Sequence, residues 1–213
     1  MSEFIPDISP KNDNGERILR EMSNYIPSDK ERIILSKEKY KCKCCGFQSR
    51  PSKVVPSGYM ETYKNIVLCR MCYGALHTDG KIDDNHNHGM IIYAPWISQS
   101  RLINLFRIAY LAHVRKNQTL IEQADRLAGE FSLLSSDLSK YDEKMSSGDL
   151  EYFSKIISKL PASTYDDRKH LLKGWRYLPY YAGYQNIMLY WDKASFSMLS
   201  DEKLENLLTS ENP

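Results

Sequence analysis

The sequence predicts an α+β fold in which short hairpin strands occupy the first half and helices dominate from Ser98 onward. Three observations carry this expectation. Two Cys-x-x-Cys pairs, Cys42/Cys45 and Cys69/Cys72, frame the short β-prone runs Val54-Val55 and Ile66-Val67-Leu68, spaced to fold back on each other. Met90 to Tyr93, just before Ala94-Pro95, has the same strand character. Beyond Ser98 the apolar residues recur every three or four positions, the period of a helix with one buried face.

In chain order, residues 1–30 read as a flexible leader with a short helix. Pro6, Pro10 and the turn-forming Asn12-Asp13-Asn14-Gly15 open it, and Glu16 to Tyr25 supplies the helical piece. Residues 31–97 form the α+β module, in which Glu31 to Lys41 mixes charge with Ile33, Ile34 and Leu35 and leads into the first cysteine pair. Residues 98–213 are expected to be a helical region packed on that module, ending in an aromatic-rich tail. Within it, Leu102, Leu105, Phe106, Ala109, Tyr110, Ala112 and His113 mark a helix to about Lys116, with Ser98 or Ser100 as N-cap. Ile121, Ala124, Leu127, Ala128, Phe131 and Leu134 mark a second helix. Leu150, Phe153, Ile156, Ile157 and Leu160 mark a third, which Pro161 ends. A fourth is expected from Asp166 or Asp167 through Trp175 to Leu178, and Ser146-Ser147-Gly148 is a bend. Trp175, Tyr177, Tyr180, Tyr181, Tyr184, Tyr190 and Trp191 are too dense and irregular for one helix face, so they divide between core and a partner-facing surface.

The chain's 213 residues suffice for a real core, and 29 Lys+Arg against 27 Asp+Glu give no global field demanding a polyanion. The acidic, proline-broken start lacks the basic and apolar regions of a secretory signal. Leu102 to Val114, the most apolar stretch, contains Arg107 and is too short to span a bilayer, so a cytoplasmic location without membrane insertion is expected. Five cysteines arranged as below suit a reducing compartment.

Cys42, Cys45, Cys69 and Cys72 are read as the ligands of one structural Zn²⁺. Four soft sulfurs satisfy tetrahedral zinc, and Gly46 supplies the positive-φ turn that follows a metal knuckle. Met71 to His77 reads as a short helix opened by the second pair, whose N-terminal amides favour thiolates. Buried free thiols or redox dithiols are the alternatives, although a redox motif needs only one pair. Cys44 competes with Cys45 as ligand, and Gly46 favours Cys45. With four protein sulfurs bound, no position stays open for water or substrate, which argues against metal catalysis.

A knuckle, a hairpin and a second Cys-x-x-Cys opening a helix is also the order of treble-clef modules, including HNH nucleases. An HNH enzyme needs a histidine base on the hairpin, and here that segment reads Val54-Val55-Pro56-Ser57. Asn65 sits where the motif's asparagine would, but His77 is offset from the position after the second pair, which Tyr73 holds. No catalytic residue is therefore assigned. Asp83, Asp84, His86 and His88 could form a second metal cluster, yet with Asn85, Asn87 and Gly89 they read more simply as a polar turn. Lys37, Lys39, Lys41, Lys43, Arg50 and Lys53 surround the first knuckle and could meet phosphates, with solvated charge as the plainer reading.

Cys42-Lys43-Cys44-Cys45-Gly46-Phe47-Gln48, Asn65-Ile66-Val67-Leu68-Cys69-Arg70-Met71-Cys72 and Gly89-Met90-Ile91-Ile92-Tyr93-Ala94-Pro95, with Ile97-Ser98-Gln99 opening a helix, follow one another in the chain. Together they resemble the IcmJ (DotN) family of type IVB (Dot/Icm) secretion systems. The similarity spans about residues 38–116 and is weaker around Gly174 to Pro179 and Tyr190-Trp191. The resemblance implies a non-enzymatic adaptor of the coupling complex, built on an HNH-like zinc fold that has lost nuclease chemistry. It would bind the cytoplasmic tail of the coupling ATPase (DotL, or IcmO) beside other coupling-complex subunits, at the inner face of the bacterial inner membrane. It also implies the four zinc ligands named above, and nucleic acid is not an expected partner.

Overall fold

The structure, a computed structural model, describes Ile5 and Pro6 and residues 26–50, 52–56, 65–79 and 88–210. The leader helix expected at Glu16 to Tyr25 lies outside them.

The first described helix, α1 (Asp29–Lys37), occupies the charged stretch that leads into the first cysteine pair. Its signal is the capping box Ser28-Asp29-Lys30-Glu31: Ser28 Oγ accepts from the Glu31 amide, and the Glu31 carboxylate accepts from the Ser28 amide at 2.9 Å. The helix closes with the Tyr40 amide donating to the Leu35 carbonyl at 2.8 Å, while Lys39 and Tyr40 take positive φ. That closure delivers the chain to the knuckle, with Leu35 buried against Val67. Ser28→Ala is expected to cost about 0.5–2 kcal/mol, read by chemical denaturation, with bound metal unchanged.

Strands β1 (Ser52–Pro56) and β2 (Asn65–Cys69) pair antiparallel, with Val54 opposite Val67 and Ser52 opposite Cys69, the hairpin expected from the valine and isoleucine runs. Cys69 ends β2 and is at once the N-cap of α2 (Arg70–Leu76), whose side chains are all buried.

A second antiparallel pair joins β3 (Gly89–Tyr93) to β4 (Trp175–Pro179), with Ile91 opposite Tyr177. Here the structure corrects the expected fourth helix. After α6 (Ala162–Asp166) and α7 (Arg168–Leu171), Gly174 turns at φ +89, and Trp175 to Pro179 runs as a fully buried strand. The segment is rich in β-prone residues and bounded by Gly174 and Pro179. It also supplies the ladder that β3 would otherwise lack, so long-range pairing overrides a weak helical period. The Gln99 side-chain amide then completes β4's second edge: its Nε2 donates to the Tyr177 carbonyl at 2.8 Å and its Oε1 accepts from the Tyr177 amide at 2.7 Å.

The helices from Ser98 follow the predicted period. These are α3 (Gln99–Arg115), with Ser98 as N-cap, α4 (Gln118–Leu133), capped by Asn117, and α5 (Leu150–Ser158), capped by Asp149. Two further helices, α8 (Gln185–Ser195) and α9 (Asp201–Ser210), were not anticipated. Arg115 at the end of α3 ties them down, donating to Asp192 at 2.8 Å, to the Phe196 carbonyl at 2.9 Å and to Asp201 at 3.0 Å. α3 is the central element, packed on α2, α4, α8, α9 and β4.

The aromatic run divides between core and surface. Trp175, Tyr177, Tyr184 and Trp191 are buried, Tyr180 and Tyr181 are half-buried, and Tyr190 is exposed. One continuous core reaches from Cys42 in the knuckle to Leu208 in α9. Among the described residues, no helix is long and apolar enough to cross a membrane.

Candidate metal centre

The four predicted sulfurs converge. Cys42, Cys45, Cys69 and Cys72 bring their Sγ atoms within 4.8 Å of one another, and all five cysteines of the chain are free thiols. The first pair sits on a knuckle closed by the Cys42 amide donating to the Phe47 carbonyl at 2.8 Å and by the Gly46 amide donating to the Cys42 carbonyl at 2.9 Å. Gly46 takes φ +74, as the turn requires. The Lys43 amide donates to the Val67 carbonyl at 2.8 Å, which docks the knuckle on β2. Cys69 and Cys72 then face it from the start of α2, one helical turn apart. Cys44, half-buried, falls outside the four-sulfur cluster, so the choice between Cys44 and Cys45 falls to Cys45.

The spacing suits a tetrahedral cation. Metal–sulfur bonds of about 2.3 Å place sulfurs about 3.8 Å apart, and Cys45 Sγ lies 3.7 Å from Cys69 Sγ. A disulfide would need about 2.05 Å. The donor set therefore fits one metal ion held by four sulfurs.

One participant escaped the sequence reading. Arg107 of α3 is only 2% exposed, and its Nη2 donates to Cys45 Sγ at 3.2 Å and to Cys69 Sγ at 3.3 Å. Its Nη1 donates to Asn104 Oδ1, and Asn104 in turn donates to the Cys45 carbonyl at 3.2 Å. The guanidinium lies 4.0 Å from the Phe47 ring centroid and 5.3 Å from that of Trp191. The signal was present in the sequence: a cation inside the chain's most apolar stretch, Leu102 to Val114, calls for an anionic partner once that stretch is buried. Nothing local named that partner, because the sulfurs lie 62 and 38 residues away.

The electrostatics agree with this placement. Burial pushes the thiols of Cys42, Cys69 and Cys72 up. Cys45 is driven the other way, chiefly by hydrogen bonds from Cys42, Cys69 and Cys72 and further by the Arg107 charge. For Arg107, burial works against the charge, but the sulfurs of Cys69, Cys45 and Cys72 outweigh it and raise its pKa. Cys69 caps α2 by position, its side chain makes no capping hydrogen bond, and its sulfur accepts from Arg107 at 3.3 Å.

The other candidates fall elsewhere. His77 stacks on Tyr73 with ring centroids 3.8 Å apart, and its Nδ1 bonds the Tyr73 carbonyl at 2.9 Å, so it is committed to α2. His88 is fully buried with Nδ1 2.6 Å from the Tyr177 hydroxyl, which also lies 2.7 Å from that of Tyr184. Asp83, Asp84 and His86, its proposed companions, lie outside the described residues, as do Ser57 and the side chains of Lys53, Val54, Val55, Pro56 and Asn65. Lys37, Lys39, Lys41, Lys43 and Arg50 are exposed around the knuckle, with Arg50 4.3 Å from the Tyr40 ring centroid.

Fold and site together define the class: a mixed helix–strand protein organised around a buried four-cysteine cluster able to hold a metal ion. Neither a scan against protein-family models nor a search of the curated proteins finds a match to this chain.

Proposed function

We propose that this protein is a non-enzymatic adaptor whose Cys42, Cys45, Cys69 and Cys72 hold one structural Zn²⁺. Its knuckle, hairpin and helix form a degenerate treble clef of the HNH type. The observation that carries the reading is the closed sulfur set: four protein ligands fill a tetrahedron and leave no vertex for water or substrate. The positions of His77 and His88 support it, since both rings are engaged away from the sulfurs. With the IcmJ (DotN) resemblance, this favours a subunit of a type IVB coupling complex, held at the inner face of the inner membrane by the tail of the coupling ATPase. The exposed Leu189 and Tyr190 on α8 and Met198 beyond it offer apolar surface for such a tail.

Affinity purification of the tagged protein from its native cell, with metal content measured on the same sample, tests both parts. One zinc per chain together with a coupling ATPase is the expected result. The exposed lysines of the knuckle favour one alternative, a nucleic-acid-binding module. Zinc recovered with nucleic acid and no secretion component, bound in a salt-dependent way that charge reversal at Lys41 and Lys43 abolishes, would replace the adaptor reading with that one.

A further inference from the structure

Arg107 connects two things that the sequence keeps far apart. Its Nη2 bridges Cys45 of the knuckle and Cys69 of the hairpin, and its guanidinium packs beside the contacting pair of rings formed by Phe47 of the knuckle, 4.0 Å away, and Trp191 of α8, 5.3 Å away. Phe47 and Trp191 also meet edge to face with centroids 5.0 Å apart, and Phe47 stacks on Phe196 at 5.5 Å. Trp191 is fully buried. Four thiolates around a divalent cation leave two uncompensated negative charges, and a buried guanidinium offsets one of them. Loss of the metal that closes the knuckle on the hairpin would release Cys45 and Cys69 from each other, and with them the two contacts that fix the guanidinium beside Trp191.

We propose that Arg107 is a positioning residue that couples metal occupancy of the four-cysteine centre to the docking of helix α8. It holds the sulfurs of Cys45 and Cys69 on one side and seats Trp191 on the other. The metal centre thereby controls the C-terminal face that carries Leu189 and Tyr190, as well as the fold of its own knuckle. This rests on the metal reading proposed above.

The test uses the full chain as wild type, Arg107→Met and Arg107→Lys, each loaded with zinc or with cobalt(II). Metal content is measured first, followed by three readouts: the rate of zinc transfer to a chromogenic chelator, the sulfur-to-cobalt charge-transfer band, and hydrogen exchange of α8 peptides. Wild type should hold one metal per chain and lose protection in α8, but not in α4, when the metal is removed. Arg107→Met should release zinc about 10- to 100-fold faster. Its charge-transfer band should move to lower energy, because sulfur lone pairs freed of a hydrogen bond rise in energy, and α8 should exchange faster with metal still bound. Arg107→Lys keeps the charge without the planar fork, so it should recover part of the metal retention but not the band position. If Arg107→Met is not recovered folded, Arg107→Lys and Asn104→Ala carry the same three readouts. A metal-loaded variant with wild-type release, band and α8 exchange overturns the coupling and leaves the metal reading intact. A wild-type protein that binds no metal overturns both.

Discussion

Cys69→Ser is expected to give a chain without bound metal and without a cooperative melting transition in its first half. Structural zinc supplies about 10–16 kcal/mol of apparent binding free energy, against net domain stabilities of about 5–15 kcal/mol. Removing a ligand therefore acts on folding before it acts on any partner. Position makes Cys69 the most exacting of the four. It is fully buried, ends β2 opposite Ser52, begins α2, and receives Arg107 at 3.3 Å. A serine oxygen is a poorer zinc donor and would leave the guanidinium facing an uncharged hydroxyl in the core. Circular dichroism, thermal melting and metal analysis on one preparation check this. A Cys69→Ser protein that keeps the wild-type spectrum and melting temperature would contradict it.

Gly148→Ala should destabilise by about 3 kcal/mol or more, within the tail reserved for backbone strain and overpacking. Gly148 has φ +65, and a Cβ there would stand 2.2 Å from the Ile91 carbonyl oxygen. The same glycine accepts the Ile91 amide at 2.8 Å, so the bend cannot retreat without breaking the contact that anchors it to β3. For a chain of this size the loss corresponds to a melting temperature lower by about 6–12 °C, with metal content unchanged. Gly129→Ala is the internal control. It lies within α4 with nothing inside 4 Å of the new methyl, so it should be neutral or stabilising by up to about 1 kcal/mol. Equal melting temperatures for the two variants would refute the steric argument.

The local elements were legible where their signal was local. Helical spacing placed α3, α4 and α5, with Ser98 as the N-cap of α3 and Pro161 beyond the end of α5, and the valine and isoleucine runs placed the hairpin. The two Cys-x-x-Cys pairs with Gly46 named the four sulfurs that converge, since ligand spacing and a positive-φ turn are properties of a few consecutive residues. α1 was legible too, through Ser28 and Glu31, although the charged run beyond them hid it.

What only the tertiary structure decided is what depends on partners far along the chain. Trp175 to Pro179 became a strand because β3, over eighty residues earlier, needed a ladder. A bend read from Ser146, Ser147 and Gly148 turned out to be pressed against Ile91. Arg107, in sequence terms a cation that kept an apolar helix out of the membrane, is the group that faces two sulfurs and two aromatic rings. Sequence alone determined which atoms a metal would take, because ligand chemistry is written in residue type and short spacing. The fold decided what surrounds and steadies those atoms, because compensating a buried charge draws on whichever residues the packed core brings near it.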